Sequence, residues 1–119
     1  YGGPMSKVID GTDVLALLNK AQSLYPDSAV VLFGYGSFYL LAPSLAGGFK
    51  IDLAKKYLQE AIAKDPKFAD AYVRLAQVYK LEKNYKMYEE LLDKALAIDP
   101  QSELALDIKN KNCKFICFN

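Results

Sequence analysis

Histidine is absent from all 119 residues. The commonest general base near neutral pH and the commonest metal ligand are therefore both missing. The groups that remain with chemical capacity are carboxylates, lysines, a single arginine (Arg74) and two cysteines. Glu60 precedes Lys64 and Glu90 precedes Lys94, each by four residues. That order suits solvated pairs on a helix face better than paired acid–base carboxylates. Cys113 and Cys117 are too few for a structural zinc site, which takes four ligands. A helical tail would bring the two thiols onto one face, near bonding distance, whereas an extended tail would hold them apart. They also read as small hydrophobes covering the core beside Phe115, Ile116 and Phe118. A disulfide there would imply an oxidising compartment. Of the glycine-bearing stretches, GYGSF lies inside a helical pattern and AGGFK lacks the spacing of a phosphate-binding loop. The sequence therefore points to no catalytic residue, no metal site and no cofactor, and the expectation is a protein that performs no chemistry.

Bulk properties narrow the partners. Fifteen basic against 14 acidic residues leave a formal charge of +1, which gives no electrostatic case for nucleic acid. The longest apolar stretch, VVLFGYGSFYLLAP, is interrupted by glycine and serine and falls short of the ~18 residues that suggest a membrane span. A chain of 119 residues fits one domain burying roughly two-thirds of its unfolded surface. The chain opens at Tyr1 rather than Met, which leaves room for an N-terminal anchor or signal upstream. Both a cytoplasmic and a membrane-tethered or extracytoplasmic location stay open.

The elements that would position any site are read from a repeat. Pro66 ends LQEAIAKDP and Pro100 ends LDKALAIDP, 34 residues further on. In that register Leu58 matches Leu92, Ala61 matches Ala95 and Asp65 matches Asp99, and LNKAQSLYP repeats the skeleton with Leu18, Ala21 and Pro26. A period of about 34 residues with helical patterning marks a helix-turn-helix repeat whose units bury their apolar faces only by stacking. Helices are expected over 12–24 (capped by Thr12 or Asp10), 28–41, 52–64 (capped by Asp52), 69–81 and 85–98. The second is apolar almost all round, which reads as buried or as keeping a face for a ligand. A sixth helix is expected from Ser102, although Leu104, Leu106 and Ile108 also fit strand alternation.

The segment from Ala69 to Pro100 resembles a tetratricopeptide repeat (TPR). That family places a large aromatic, Leu, a small residue and Tyr on its first helix, then small, bulky and small residues on its second, then Pro. Here these positions hold Tyr72, Leu75, Ala76 and Tyr79, then Tyr88, Leu92, Ala95 and Pro100. The turn Lys83-Asn84-Tyr85 is similar to the family's Gly-Asn/Asp-Tyr. Two positions depart: Lys83 replaces the usual Gly, and Tyr88 stands where a small residue is expected, so its ring should spread the helices or tilt outward. Counting forward from Pro26 puts Leu32, Tyr35, Gly36 and Tyr39 on first-helix positions, and counting back from Pro66 puts Ala54, Leu58 and Ala61 on second-helix positions. Pro26 and Pro66 are 40 residues apart, six more than the period, and the surplus falls in LAPSLAGGFKI. Such an insertion reads first as neutral lengthening, since closure entropy grows slowly with length, and second as part of a binding face. A similar Pro…Gly-Gly insertion occurs in bacterial envelope TPR proteins, including periplasmic subunits of some transporters.

The resemblance implies an all-α fold: a right-handed superhelix of antiparallel helix pairs, about six helices in one domain. Residues 1–11 would be a flexible lead, 12–26 the second helix of a partial repeat, 28–66 a repeat with the inserted loop 42–50, 69–100 a repeat, and 102–119 a capping helix and tail. The cap should turn Asp107, Lys109, Asn110 and Lys111 to water. An array this short is marginal alone, which makes a homodimer or a further N-terminal segment the expectation. The concave face of TPR proteins is built mainly from first helices, which here offers Val30, Phe33, Ser37, Asp70, Val73, Arg74, Gln77 and Lys80 for a partner. The TPR subclass that grips C-terminal carboxylates carries Lys and Asn where Phe33 and Ser37 stand, so that activity is not implied. The leading expectation is a protein–protein interaction scaffold that binds a peptide or protein segment. One alternative is a self-associating soluble domain of a membrane-anchored bacterial protein. Another is an accessory subunit of an envelope transporter, taking a small ligand among Phe33, Tyr35, Phe38, Tyr39 and the inserted loop. An exposed apolar stripe on 28–41 would favour the alternatives; a groove with polar lining would favour the scaffold.

Overall fold

The computed structural model describes residues 11–42 and 50–110, the side chains from Asp13 onward. Six helices make up the described fold, without strands: α1 (Gly11–Leu24), α2 (Ala29–Leu41), α3 (Ile51–Lys64), α4 (Ala69–Leu81), α5 (Tyr85–Ile98) and α6 (Glu103–Lys109). The expected lead, most of the inserted loop, and the tail with its cysteines lie outside the described residues, as do Asp10 and Lys111.

The helices pair antiparallel. On α2 and α3, Leu32 falls beside Ala61, Gly36 against Leu58, and Leu40 in the cluster of Ala54. On α4 and α5, Lys94 lies 5.2 Å from the Tyr72 ring and Lys80 lies 5.2 Å from the Tyr88 ring. Close packing rests on small residues. A Cβ on Gly36 would stand 2.6 Å from Leu58 Cγ, closer than carbon can come, and 3.3 Å from the Ala54 carbonyl oxygen. Ala61, Ala71, Ala76 and Ala95 are all fully buried. Leu40, Leu58, Leu75, Val78 and Leu92 fill the space between the pairs.

One turn is used three times. The residue before each proline (Tyr25, Asp65 or Asp99) donates its N–H to an alanine carbonyl four residues back, at 2.8, 2.9 and 2.9 Å. The same residue accepts from the N–H three residues on, at 3.1 Å in every case. Asp65 and Asp99 add a side-chain bond, accepting the N–H of Lys67 at 3.1 Å and of Gln101 at 3.0 Å. Proline disfavours helix in the residue before it, so the chain leaves the helix at the same point and in the same way each time.

Caps follow the expected chemistry only in part. Ser28, Asn84 and Ser102 accept the third N–H of α2, α5 and α6. Asp52 is not a cap. Lys50 holds that position without a side-chain bond, and Asp52 lies in the first turn of α3, where a carboxylate complements the helix dipole. Thr12 likewise lies inside α1, which begins at Gly11. α4 ends in a Schellman turn: Asn84 N–H bonds the Tyr79 carbonyl at 2.8 Å and Lys83 N–H bonds that of Lys80 at 3.0 Å. The turn requires a left-handed residue, and Lys83 supplies it at φ 63°. The Tyr88 ring is half-buried against the main core, with Lys80 Nζ 5.2 Å from its centroid.

α6 settles the strand ambiguity as helix: Leu104, Ala105 and Ile108 are buried while Leu106 is exposed. Asp107 was expected to face water and is instead 4% exposed. It follows Leu104 by three residues and so shares its side of α6, which packs on both α4 and α5. The expected ion pairs are also re-partnered. Lys64, at the end of α3, reaches Asp27 in the turn between α1 and α2 at 3.1 Å, and Lys94 lies over Tyr72. Lys55 bonds both oxygens of Glu82 at 2.8 and 3.0 Å, tying α3 to the end of α4. That bond is the main cause holding the Lys55 ammonium above its ordinary pKa.

Two stability changes follow. Ala61→Phe should overpack the contact of α2, α3 and α4 and cost about 1–3 kcal/mol in denaturant unfolding. Lys83→Gly should stabilise by about 0.5–1 kcal/mol in the same measurement, relief of the left-handed strain exceeding the added unfolded-state entropy.

Candidate functional site

Identical turns place the first helix of each pair in the same relation to the pair before. α2 therefore lies beside α4, and α4 beside α6. Between them opens a cleft of about 480 Å³ lined by Phe33 of α2, Asp70 and Arg74 of α4, and the approach and first turn of α6 from Asp99 to Leu104.

The cleft floor is fixed. The Phe33 ring packs on Phe68 with centroids 4.9 Å apart and a 42° tilt. Ser102 caps α6 by accepting the Ala105 N–H at 3.1 Å, and its hydroxyl reaches Asp70 Oδ1 at 3.5 Å. This joins two walls of the cleft. The Arg74 Nη1 group donates to Gln77 Oε1 at 2.8 Å, while the buried Nε–H has no acceptor among the described residues. Burial pulls the Arg74 guanidinium below its ordinary pKa, and Asp70, one helical turn earlier, opposes that shift. The cleft thus carries an aromatic face, a half-buried cation and three carboxylates (Asp70, Asp99, Glu103).

Of the sequence-derived site residues, Phe33, Asp70 and Arg74 meet in this cleft. Val73 is 0% exposed and Gln77 1%, so neither presents a surface: Val73 belongs to the main core, and Gln77 lies beneath Arg74 as its acceptor. Lys80 sits over Tyr88. Ser37 is half-buried, and its buried hydroxyl has no hydrogen-bond partner among the described residues. Val30 is exposed at the start of α2. Of the aromatic residues suggested for a small ligand, Phe33 lines the cleft and the other three are turned to packing: Tyr35 stacks on Tyr57 at 4.9 Å and its hydroxyl bonds Asn19, Tyr39 stacks on Tyr57 at 5.9 Å, and Phe38 is buried. Asp99, Gln101, Ser102, Glu103 and Leu104 were missed as site residues. The signal lay in the 34-residue register, which carries Asp70 onto Leu104 and Phe68 onto Ser102.

Paired helices stacked through one repeated turn define a helical-repeat domain of the kind that displays a groove. The tetratricopeptide-repeat family model matches residues 45–111, more than half of the chain, and the chain belongs to that family. A search of curated proteins finds no match. Among solved structures the chain is similar to YrrB, described as a TPR protein with an unusual peptide-binding site. The two share 25% identity with a TM-score of 0.64, over 84% of this chain and 53% of YrrB. The chain thus spans about half the length of that relative. The fold suggests a protein–protein interaction scaffold, and no described helix is long and apolar enough to cross a membrane.

Because Ser102 both caps α6 and braces Asp70, Ser102→Ala should cost about 1 kcal/mol in thermal or denaturant unfolding. Faster amide exchange in α6 than in α4 would accompany it.

Proposed function

We propose that this chain is a non-enzymatic scaffold that binds a peptide or protein segment in the concave cleft between α2, α4 and α6. The observation that carries the reading is the meeting of Phe33, Asp70 and Arg74 in one cleft, although Phe33 lies in a different repeat from the other two. An aromatic anchor beside a fork-shaped donor suits polypeptide recognition better than a metabolite, because it gives apolar contact and directional bonds along an open groove. Polar lining in this groove, with the apolar side of α2 buried against α3, favours the scaffold over the alternatives. YrrB, a family member of similar fold, is described as having a peptide-binding site, which supports the same class of partner.

Self-association has a separate observation behind it. Leu17, Leu24, Tyr25 and Val30 are exposed at the α1 end, and no described residue of α1 is fully buried.

Selection from a displayed random-peptide library, scored on the wild type and on the double variant Phe33→Ala, Arg74→Ala, separates the two. The cleft reading expects at least about tenfold lower peptide retention by the variant, roughly the loss of one interface anchor, with an unchanged helical circular dichroism spectrum. Equal retention would move the site to the 42–50 loop or the α1 end.

A further inference from the structure

The cleft has a sign as well as a shape. Its lining carries three carboxylates (Asp70, Asp99 and Glu103) against one cation, Arg74. Gln77 Oε1 engages the Arg74 Nη1 group, and Asp70 lies one turn away on the same helix. Asp99 and Glu103 are exposed at the rim, and their charge is not offset by any other cation among the lining residues. A ligand carboxylate entering here would approach Arg74 past those two groups. A ligand cation would meet them first. In the same lining, half-buried Phe33, with the small exposed part of Leu104, offers apolar surface that suits the methylene stem of a long side chain, and an aromatic face attracts a cation.

We propose that this cleft takes a lysine or arginine side chain of a peptide partner, its stem on Phe33 and Leu104 and its charge against Asp99 and Glu103. The assignment rests on the peptide-binding reading above and sets the chemistry of the partner. It is opposite in sign to recognition of a C-terminal carboxylate. The rim charges steer and select, whereas the apolar floor gives contact area without regard to sign.

The test uses three acetylated, amidated hexapeptides, Gly-Ala-X-Leu-Ala-Gly with X lysine, glutamine or glutamate, titrated into the isotopically labelled chain and followed by amide chemical shifts. The lysine peptide should shift the amides of Asp70, Arg74 and Gln101 to Leu104. Its affinity should exceed that of the glutamine peptide by about three- to tenfold, the worth of two partly screened charges. The glutamate peptide should bind weakest. Asp99→Asn with Glu103→Gln should remove the preference; both residues are exposed, and asparagine retains the oxygen that accepts the Gln101 N–H. Salt of about 1 M, which shortens the screening length to about 3 Å, should do the same to the wild type. Glutamine or glutamate peptides that shift the same amides with equal or higher affinity would overturn the cation assignment and leave the groove in place. Absence of shifts at those amides with all three peptides would overturn the assignment together with the groove.

Discussion

The fold depends on how closely its helices can approach. At the crossing of α2 and α3 the limiting contact is Gly36 against Leu58, where even a methyl group would overlap a branched carbon. Fully buried alanines at positions 61, 71, 76 and 95 lie at the other close packings. Small residues at these points let backbones come near enough for Leu40, Leu58 and Leu92 to interlock rather than stack end to end. Larger side chains at the crossings would change the distances between layers, and with them the width of the cleft.

The second constraint is the repeated turn. An alanine carbonyl, a residue before proline, and an N–H three residues later form the same pair of hydrogen bonds at Pro26, Pro66 and Pro100. Equal turns give equal steps between successive first helices, and a groove along α2, α4 and α6 is the geometric consequence. The aspartates at 65 and 99 add a local side-chain bond, and Asp99 also stands on the rim of the cleft. One residue thus serves turn geometry and surface charge together.

The two ends of the array differ. At the α6 end, buried Leu104, Ala105 and Ile108 close the core over α4 and α5. At the other end α1 is held mainly by α2, through Leu18 against Gly34 and the hydrogen bond between Tyr35 and Asn19, while Leu17 and Leu24 face outward. A helix with few buried contacts opens more readily than one enclosed on several sides, so stability should rise from α1 toward α4.

Repetition was legible in the sequence because it is local: prolines 34 residues apart, alanines before them and apolar residues at helical spacing are each set by the backbone of one segment. The helices, their pairing and the small residues at their crossings could be read on that basis, and Lys83 stood out as a departure from the family's Gly, though its left-handed backbone came only with the structure. Facing was harder to read. Val73, Gln77 and Asp107 all occupy positions that a single helix could turn to water, and all three are buried because a neighbouring helix lies over them. The lysines expected to pair within their own helices found Asp27 and the Tyr72 ring instead, since partners in other turns or helices are set by packing rather than by spacing. The cleft itself was half legible. Phe33, Asp70 and Arg74 carry the first-helix register, but the wall from Asp99 to Leu104 exists only where α6 docks on α4. That docking depends on distances through space that no local pattern encodes.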